Sequence, residues 1–502
     1  MPQYSSADFL GLAPVILLVL GGLVLLMLEV FQDSNRRGYQ AWYTVAVAAI
    51  AGFSATPMLS SAATPLLKSA GRGSFAVADP FAGFIAVIVC VGLAITALVA
   101  AAFLQARDAE RGEYYALAMF GAAGMVLLAQ STDLLSLFVA LEIMSVATYA
   151  LAAYNRRGTR SAEAAFKYFI LGAFSSALYL YGAALVYGAS GGKTSLVEIA
   201  QSGSMGVLMG AGLAFVAAGF LFKVAAAPFH MWTPDVYEGS PTPVTAFMAV
   251  GVKAAAFAAL VRILTVGFGG GALEGTLGAG WGEVIGVLAI ITMLVGNLLA
   301  VPQRSVKRLL AYSAIAHAGY MLVAVAAAAD PTARAAAGAG ILYYLASYTF
   351  AGAGAFAVVA ALERMGGEGP MSWDLDRFAG IARSHPGLAL AMAVFMLSLA
   401  GIPPSAGFVG KLWVFKAAID AKLYSLAVVG VLTSVIGVYY YLRVVVYMYM
   451  REPEPAVGVP PRTRANMGIA LAAAAAGTVL LGVLPSLIGD TVRASAALLG
   501  GG

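Results

Sequence analysis

Apolar runs of about twenty residues follow one another from Phe9 to Ile488 with no long polar segment between them. A run of that length crosses a hydrocarbon core of ~30 Å as an α-helix, and a helix satisfies its backbone polar groups within its own segment, which lipid demands. The chain therefore reads as an all-α polytopic membrane protein with no soluble domain. Its balance agrees: 61% of 502 residues are hydrophobic and 11% charged, against about 25% charged in soluble domains. The first run, 9–31, lacks a basic leader and a small-residue cleavage site, so it is expected to be a retained span.

Several function classes fall away. Cys90 is the single cysteine, and His230, His317 and His385 are far apart in sequence, which speaks against disulfides and a Cys/His metal cluster. No redox cofactor is expected on this chain. The glycine cluster Gly267-Phe268-Gly269-Gly270-Gly271 follows no strand, so nucleotide binding lacks support. The net charge of +5 sits in short loops, where membrane topology rather than nucleic acid accounts for it.

The hydropathy pattern predicts fourteen helices, near 9–31, 41–61, 80–104, 114–130, 134–154, 162–189, 206–240, 242–267, 281–301, 303–329, 333–363, 386–421, 423–450 and 463–488. Their connecting loops form two sets. One holds sixteen basic residues: Arg36, Arg37, Arg107, Arg111, Arg156, Arg157, Arg160, Arg304, Lys307, Arg308, Arg364, Arg377, Arg383, Arg451, Arg462 and Arg464. The other holds six: Lys68, Arg72, Lys193, Arg334, Lys422 and Arg493. Positive charge stays inside, so the richer set is expected in the cytoplasm and both termini outside. Seven basic residues remain within spans. Of these Arg262 and Arg443 lie near helix ends and, with Glu29, are expected to snorkel to the interface. Lys167 pairs with Glu163 at i,i+4 as a structural ion pair. Lys416 snorkels along the twelfth helix.

Four ionisable groups have no such excuse. Glu142 lies within 134–154, Lys223 within 206–227, Lys253 within 244–266, and Lys411 follows a Pro-Pro break. A charge at such depth costs a few kcal/mol on insertion scales, and residues of this kind face a wet cavity, a partner charge or a proton path. Two predicted helices, 206–240 and 386–421, have about 35 residues, roughly 50 Å at 1.5 Å per residue, too long for one crossing. Both carry a breaker: Pro228 in one, Gly401-Ile402-Pro403-Pro404 in the other. A proline kink can simply shape packing; interrupted spans at matching ordinals in two halves instead point to inverted repeats around an ion site. The broken helices are the fourth members of helices 4–8 and 9–13, giving segments 1–110, 111–267, 268–450 and 451–502. The symmetry is imperfect, since Lys223 precedes its break and Lys411 follows its own. Small residues such as Gly206 and Gly210 permit close helix contact.

A lysine taken out of water becomes a tunable proton site, because burial and a nearby carboxylate act on it in opposite senses. Lys253 and His317 both fall near mid-membrane by helical rise, which makes a lateral polar row with Glu142, Lys223 and Lys411. For His317 two readings stand, proton relay or hydrogen-bonded packing. For His230, directly after Pro228-Phe229, they are relay or a cap on freed carbonyls.

Specific strings then carry a resemblance. The run from Phe222-Lys223 through Pro228-Phe229-His230, Trp232-Thr233-Pro234-Asp235-Val236-Tyr237-Glu238 and Pro241-Thr242-Pro243 closely resembles the subunit N family of bacterial respiratory complex I, the NADH:quinone oxidoreductase. Leu141-Glu142, the run from Arg308 through Tyr312, His317 and Gly319-Tyr320, and the run from Leu399 through Gly401, Pro403-Pro404, Gly407-Phe408 and Gly410-Lys411 join it. The resemblance covers helix 3 to helix 13. It implies an antiporter-like fold of fourteen helices, in which Glu142 is the helix-5 glutamate, Lys223 the pumping lysine, Lys253 the connecting lysine and Lys411 the lysine toward the periplasm. It also implies a multi-pass bacterial inner-membrane protein, with other membrane subunits as neighbours and NAD, FMN, iron–sulfur clusters and quinone on other subunits. Two rival readings are a subunit of a multisubunit cation/proton antiporter and a structural scaffold whose buried charges are internal salt bridges.

Overall fold

The computed structural model describes residues 5–31, 38–69, 72–155, 158–202, 206–269, 280–366, 373–452 and 465–497. Arg36, Arg37, Arg156, Arg157, Arg462, Arg464, Gly270 and Gly271, used in the sequence reading, lie outside them. Among the described residues, twelve helices are long and apolar enough to span a membrane, and Val207–Lys223 and Pro386–Ala400 are shorter apolar helices. These two begin the overlong segments, and both segments are broken. The first stops at Lys223 and resumes as Thr233–Gly239; the second stops at Ala400 and resumes as Ala406–Asp420.

Three of the spanning helices are the most deeply interior among the described residues. Thr242–Gly267 is buried throughout its apolar window, and Val306–Ala327 and Arg334–Glu363 nearly so. They carry Lys253, His317 and the tyrosines beside them. Around these, Ala13–Val30, Tyr39–Ser54, Thr159–Ala189 and Tyr424–Met450 present Leu, Val, Ile and Phe outward, for example Phe53 at 77% exposure. An apolar outer face is what lipid or neighbouring helices require. Thr242–Gly267 is not uniform: π-helical turns at Met248–Val252 and Ile263–Gly267 flank the α-helical stretch Lys253–Arg262. Such turns concentrate at functional sites.

Glycine sets the closest helix approaches, though not where the sequence placed it. A Cβ on Gly206 would meet open space, whereas one on Gly182 would lie 2.6 Å from the Val216 backbone nitrogen and one on Gly296 2.4 Å from that of Ala316. The pairs Thr159–Ala189 with Val207–Lys223, and Trp281–Ala300 with Val306–Ala327, are thus in backbone contact.

Three features escaped the sequence. Thr64–Ser69 and Arg72–Ala78 form an antiparallel hairpin, held because the Thr132 backbone N–H (3.1 Å) and the Ser136 hydroxyl (2.6 Å) donate to the Phe75 carbonyl. The short helix Leu196–Ala200 and the helix Ser486–Ala497, which starts within the expected last helix 463–488 and continues beyond it, are the other two. Arg262 does not snorkel, and this corrects the sequence reading: it is 3% exposed, and its guanidinium grips Asp79 in a bidentate pair at 2.8 and 3.0 Å while Nε donates to the Ala129 carbonyl. Arg443 reaches a helix end, as expected. It donates to the carbonyls of Val301 (2.7 Å) and Gln303 (2.5 Å), just past the C-terminus of Trp281–Ala300, where a cation complements the helix dipole. Lys167 pairs with Glu163 at 2.7 Å as expected, and Lys416 with Asp420 at 2.8 Å.

The Arg262 pair yields a stability prediction. Removing one partner of a buried ion pair strands the other charge and costs about 3–5 kcal/mol. Asp79→Ala is expected to lower the thermal unfolding midpoint of the purified protein clearly, and Asp79→Asn, which keeps an acceptor oxygen, to lower it less.

Candidate functional site

Each break is built by residues that cannot continue a helix. At the first, Ala225 takes φ +63° and Pro228 follows a cis bond. The freed backbone groups are recovered: the Trp232 indole N–H donates to the Phe222 carbonyl at 2.9 Å, and the Ala227 N–H to the Thr292 hydroxyl at 3.0 Å. At the second, Gly401 takes φ +81° and Pro404 follows a cis bond, and the Ser398 hydroxyl accepts from the Gly407 N–H at 3.1 Å. Backbone left unpaired at membrane depth is tolerated only when satisfied in this way.

A buried amine stands at each break. Lys411, 6% exposed, donates to the carbonyls of Leu399 (3.1 Å) and Ala400 (2.9 Å) and to the Ser434 hydroxyl (2.7 Å). It reaches back from the second half-helix to close the carbonyl end of the first, where the helix dipole favours a cation. Lys223, 2% exposed, occupies the last turn of its own half-helix, so it too lies at a C-terminus. Its ammonium donates to the Tyr149 hydroxyl at 3.1 Å and lies 5.0 and 5.3 Å from the ring centres of Tyr149 and Tyr168. The asymmetry noted in sequence order therefore resolves into a shared placement.

Glu142 and Lys223 do not form an ion pair within 4 Å. The Glu142 carboxylate, half-buried, instead accepts from the Ser176 hydroxyl at 2.5 Å. Lys253, 2% exposed, follows the first π-helical turn directly; it donates to the Ala314 carbonyl at 2.5 Å and lies 5.1 Å from the Tyr348 ring centre. Ala314 and His317 are one turn apart on Val306–Ala327. His317, 2% exposed, hydrogen-bonds through Nδ1 to the Tyr344 hydroxyl (2.5 Å) and through Nε2 to the Tyr441 hydroxyl (2.9 Å). Its ring also lies 5.1 Å from Tyr348 and 5.8 Å from Tyr320, and the Lys411 ammonium lies 5.0 Å from the Tyr320 ring centre. Lys253, His317 and Lys411 thus share one tyrosine-lined interior, while Lys223, Tyr149, Ser176 and Glu142 form a second group. His230 stands apart from both: it is half-buried, and its Nδ1 has no hydrogen-bond partner among the described residues.

Tyrosine was the chemistry that sequence reading missed. Tyr149, Tyr168, Tyr320, Tyr344, Tyr348 and Tyr441 all sit within apolar runs, and the i,i+4 pair Tyr344 and Tyr348 put two hydroxyls on one helix face. A second charge cluster was missed as well. Lys307, counted above as a loop charge, is 1% exposed and donates to the Ser240 carbonyl at 2.9 Å; Glu363 accepts from Thr242 and lies 3.5 Å from Arg107 and 3.9 Å from Lys307. Beside it, Arg308 pairs with Asp235 and Glu238, and Lys167 with Asp235. Among the described residues no three His, Cys, Asp or Glu side chains converge to hold a metal.

Residues 131–437 match the family model for the membrane domain of NADH:quinone oxidoreductase and Mrp antiporter subunits. The chain belongs to that family. A relative in Myxococcus xanthus, "NADH-quinone oxidoreductase subunit N", is 52% identical over 89% of each chain, and one of the same name in Chloroflexus aggregans is 42% identical over 98% of each. Among solved structures, a chain of respiratory complex I from Thermus thermophilus with bound aureothin superposes with a TM-score of 0.78 at 34% identity, covering 96% of this chain and 99% of that one. A chain of the Mrp complex from Dietzia sp. has the same fold, with a TM-score of 0.85 at 24% identity over 98% of each chain.

The second break is testable without any assay of activity. A Cβ on Gly401 would lie 2.8 Å from Lys411 Cδ, and φ +81° is a conformation that L side chains rarely adopt. Gly401→Ala is expected to cost at least about 1–2 kcal/mol in thermal unfolding. Gly387→Ala on the same helix meets nothing within 4 Å and is expected to be neutral or stabilising.

Proposed function

We propose that this chain is the proton-translocating, antiporter-like subunit N of a membrane-bound NADH:quinone oxidoreductase, and that Glu142, Lys223, Lys253, His317 and Lys411 carry its protons. The observation that supports this most is the pair of buried amines at the two helix breaks, each held by neutral acceptors rather than by a carboxylate. Such an amine is held by bonds that small movements of Tyr149, Ser434 or the half-helix end alter. Each unit of pKa so moved is about 1.4 kcal/mol, comparable with ~2.3 kcal/mol for one charge crossing 100 mV. In this reading Glu142 modulates Lys223 through the field rather than by contact, Lys253 and His317 pass the charge across the interior, and Lys411 exchanges with the far side. His230 is a candidate outlying relay.

The reading includes fourteen spans, with 1–110 preceding two inverted five-helix repeats at 111–267 and 268–450 and a final helix in 451–502. It makes the chain part of a translocase whose NAD, FMN, iron–sulfur clusters and quinone belong to other subunits. It places the chain in the bacterial inner membrane among further complex I membrane subunits, with both termini on the periplasmic side. The likeness to an Mrp complex keeps the cation/proton antiporter as the second reading. Co-purification with antiporter partners and no quinone reductase would establish that instead.

Two measurements test the proposal. Lys223→Met in the assembled complex is expected to lower proton translocation and the coupled quinone reductase rate by about a hundredfold or more, the lower end of the range for lost proton-transfer groups; unchanged protons per electron would refute it. In a Cys90→Ser background, an impermeant thiol reagent added to intact cells is expected to label Thr332→Cys and not Arg304→Cys. The reverse pattern would invert the topology.

A further inference from the structure

One face of the helix Thr159–Ala189 runs from a polar cavity to the Lys223 group. The cavity, about 280 Å³, is lined by Arg160, Glu163, Lys167, Asp235, Glu238 and Arg308, and by Ala164 of this helix; Arg160 and Glu163 are exposed. Residues four apart share a helix face and rise ~6 Å per step. One step past Ala164 is Tyr168, whose ring lies 5.3 Å from the Lys223 ammonium and whose buried hydroxyl faces the Thr148 side chain with no partner within 3.5 Å among the described residues. The next is Gly172, where a Cβ would come within 1.9 Å of the Tyr149 hydroxyl. The next is Ser176, which donates to Glu142.

Each step has a physical reason. Buried hydroxyls are ordinarily satisfied by protein or ordered water, so the Tyr168 hydroxyl marks a place for water between cavity and amine. Gly172 leaves the notch that lets the Tyr149 hydroxyl accept from the Lys223 ammonium at 3.1 Å, the one side-chain hydrogen bond of that amine among the described residues. Two faces converge on the Tyr149 side chain. Ser145 and Glu142, four and seven residues earlier on its own helix, act on its hydroxyl; from other helices Lys223 donates to that hydroxyl, and the Tyr168 and Phe169 rings pack edge-on against the Tyr149 ring at 4.7 and 5.8 Å.

The geometry points to Tyr149 as the proton relay between Lys223 and the cavity at Arg160, Lys167 and Asp235, seated by Gly172. The step balances without charge on the ring. An N–H bond of the Lys223 ammonium breaks as an O–H bond forms at Tyr149, while the original hydroxyl proton leaves to water beside Tyr168. The tyrosine is neutral before and after, one proton has moved, and no electron is transferred. The reverse order loads the amine. This inference rests on the proton-translocation reading and assigns the route by which Lys223 exchanges.

The test uses the assembled complex with three variants. Tyr149→Phe keeps the ring and removes the hydroxyl; it is expected to assemble and to lose about a hundredfold or more of coupled quinone reductase turnover. 3,5-Difluorotyrosine installed at position 149 keeps shape and hydrogen bond but makes the hydroxyl more acidic, and is expected to displace the pH profile of turnover, which a purely structural hydroxyl would not. Lys223→Met is the control. If it abolishes coupled turnover while Tyr149→Phe and the fluorinated residue behave as the unmodified complex, the relay is overturned and the proton-translocation reading survives. If Lys223→Met leaves proton pumping intact, the reading itself fails. Should Tyr149→Phe not assemble, the fluorinated residue decides: a displaced profile supports the relay and an unchanged one overturns it.

Discussion

Placing an ammonium ion inside a hydrocarbon-thick protein is the constraint on which this structure turns. Desolvating a charge costs several kcal/mol even after relaxation, and a carboxylate partner would offset that at the price of fixing the amine's state. The fold takes another route. It breaks two helices and uses what a break makes available: free carbonyls, a dipole end and room for hydroxyls. Lys411 is held by two carbonyls and Ser434; Lys223 by Tyr149. Lys253 takes the Ala314 carbonyl beside a π-helical turn. The acceptors are neutral, so they stabilise the cation without demanding it.

Carboxylates are used where a permanent charge is wanted. Arg262 is locked by Asp79, and Lys307 and Arg107 flank Glu363, whose other partner is Thr242 at the start of Thr242–Gly267. These clusters lie at the two ends of the helix that carries Lys253. They tie that helix to its neighbours at both ends, with the π-helical turn Met248–Val252 lying between the two anchors, directly before Lys253. Rigid ionic anchors and loosely solvated amines are separate devices in one element.

Much of this was legible in the chain. Hydropathy located the apolar helices, because a bilayer permits few alternatives, and helix length plus Pro228 and Gly401-Ile402-Pro403-Pro404 located both breaks. Glu142, Lys223, Lys253, His317 and Lys411 stood out because charge is rare at that depth. What the sequence hid were the partners. Tyr149 and Ser176 are unremarkable letters in apolar runs, and only packing reveals that Gly172 opens a notch for one and that the other holds Glu142. Arg262 shows the converse error: closeness to a helix end suggested snorkelling, yet Asp79, 183 residues away in sequence, reaches it in the fold. Long-range pairing cannot be read from spacing, whereas resemblance of Trp232-Thr233-Pro234-Asp235 and its flanks to a known family could.

The most direct test of the central claim is infrared difference spectroscopy of the assembled complex during turnover, with lysine carrying a nitrogen isotope to identify its ammonium bands. The account predicts isotope-sensitive ammonium bands that rise and fall with the catalytic cycle and are diminished when Lys223 is replaced. Lysine bands that stay constant throughout steady turnover would contradict it.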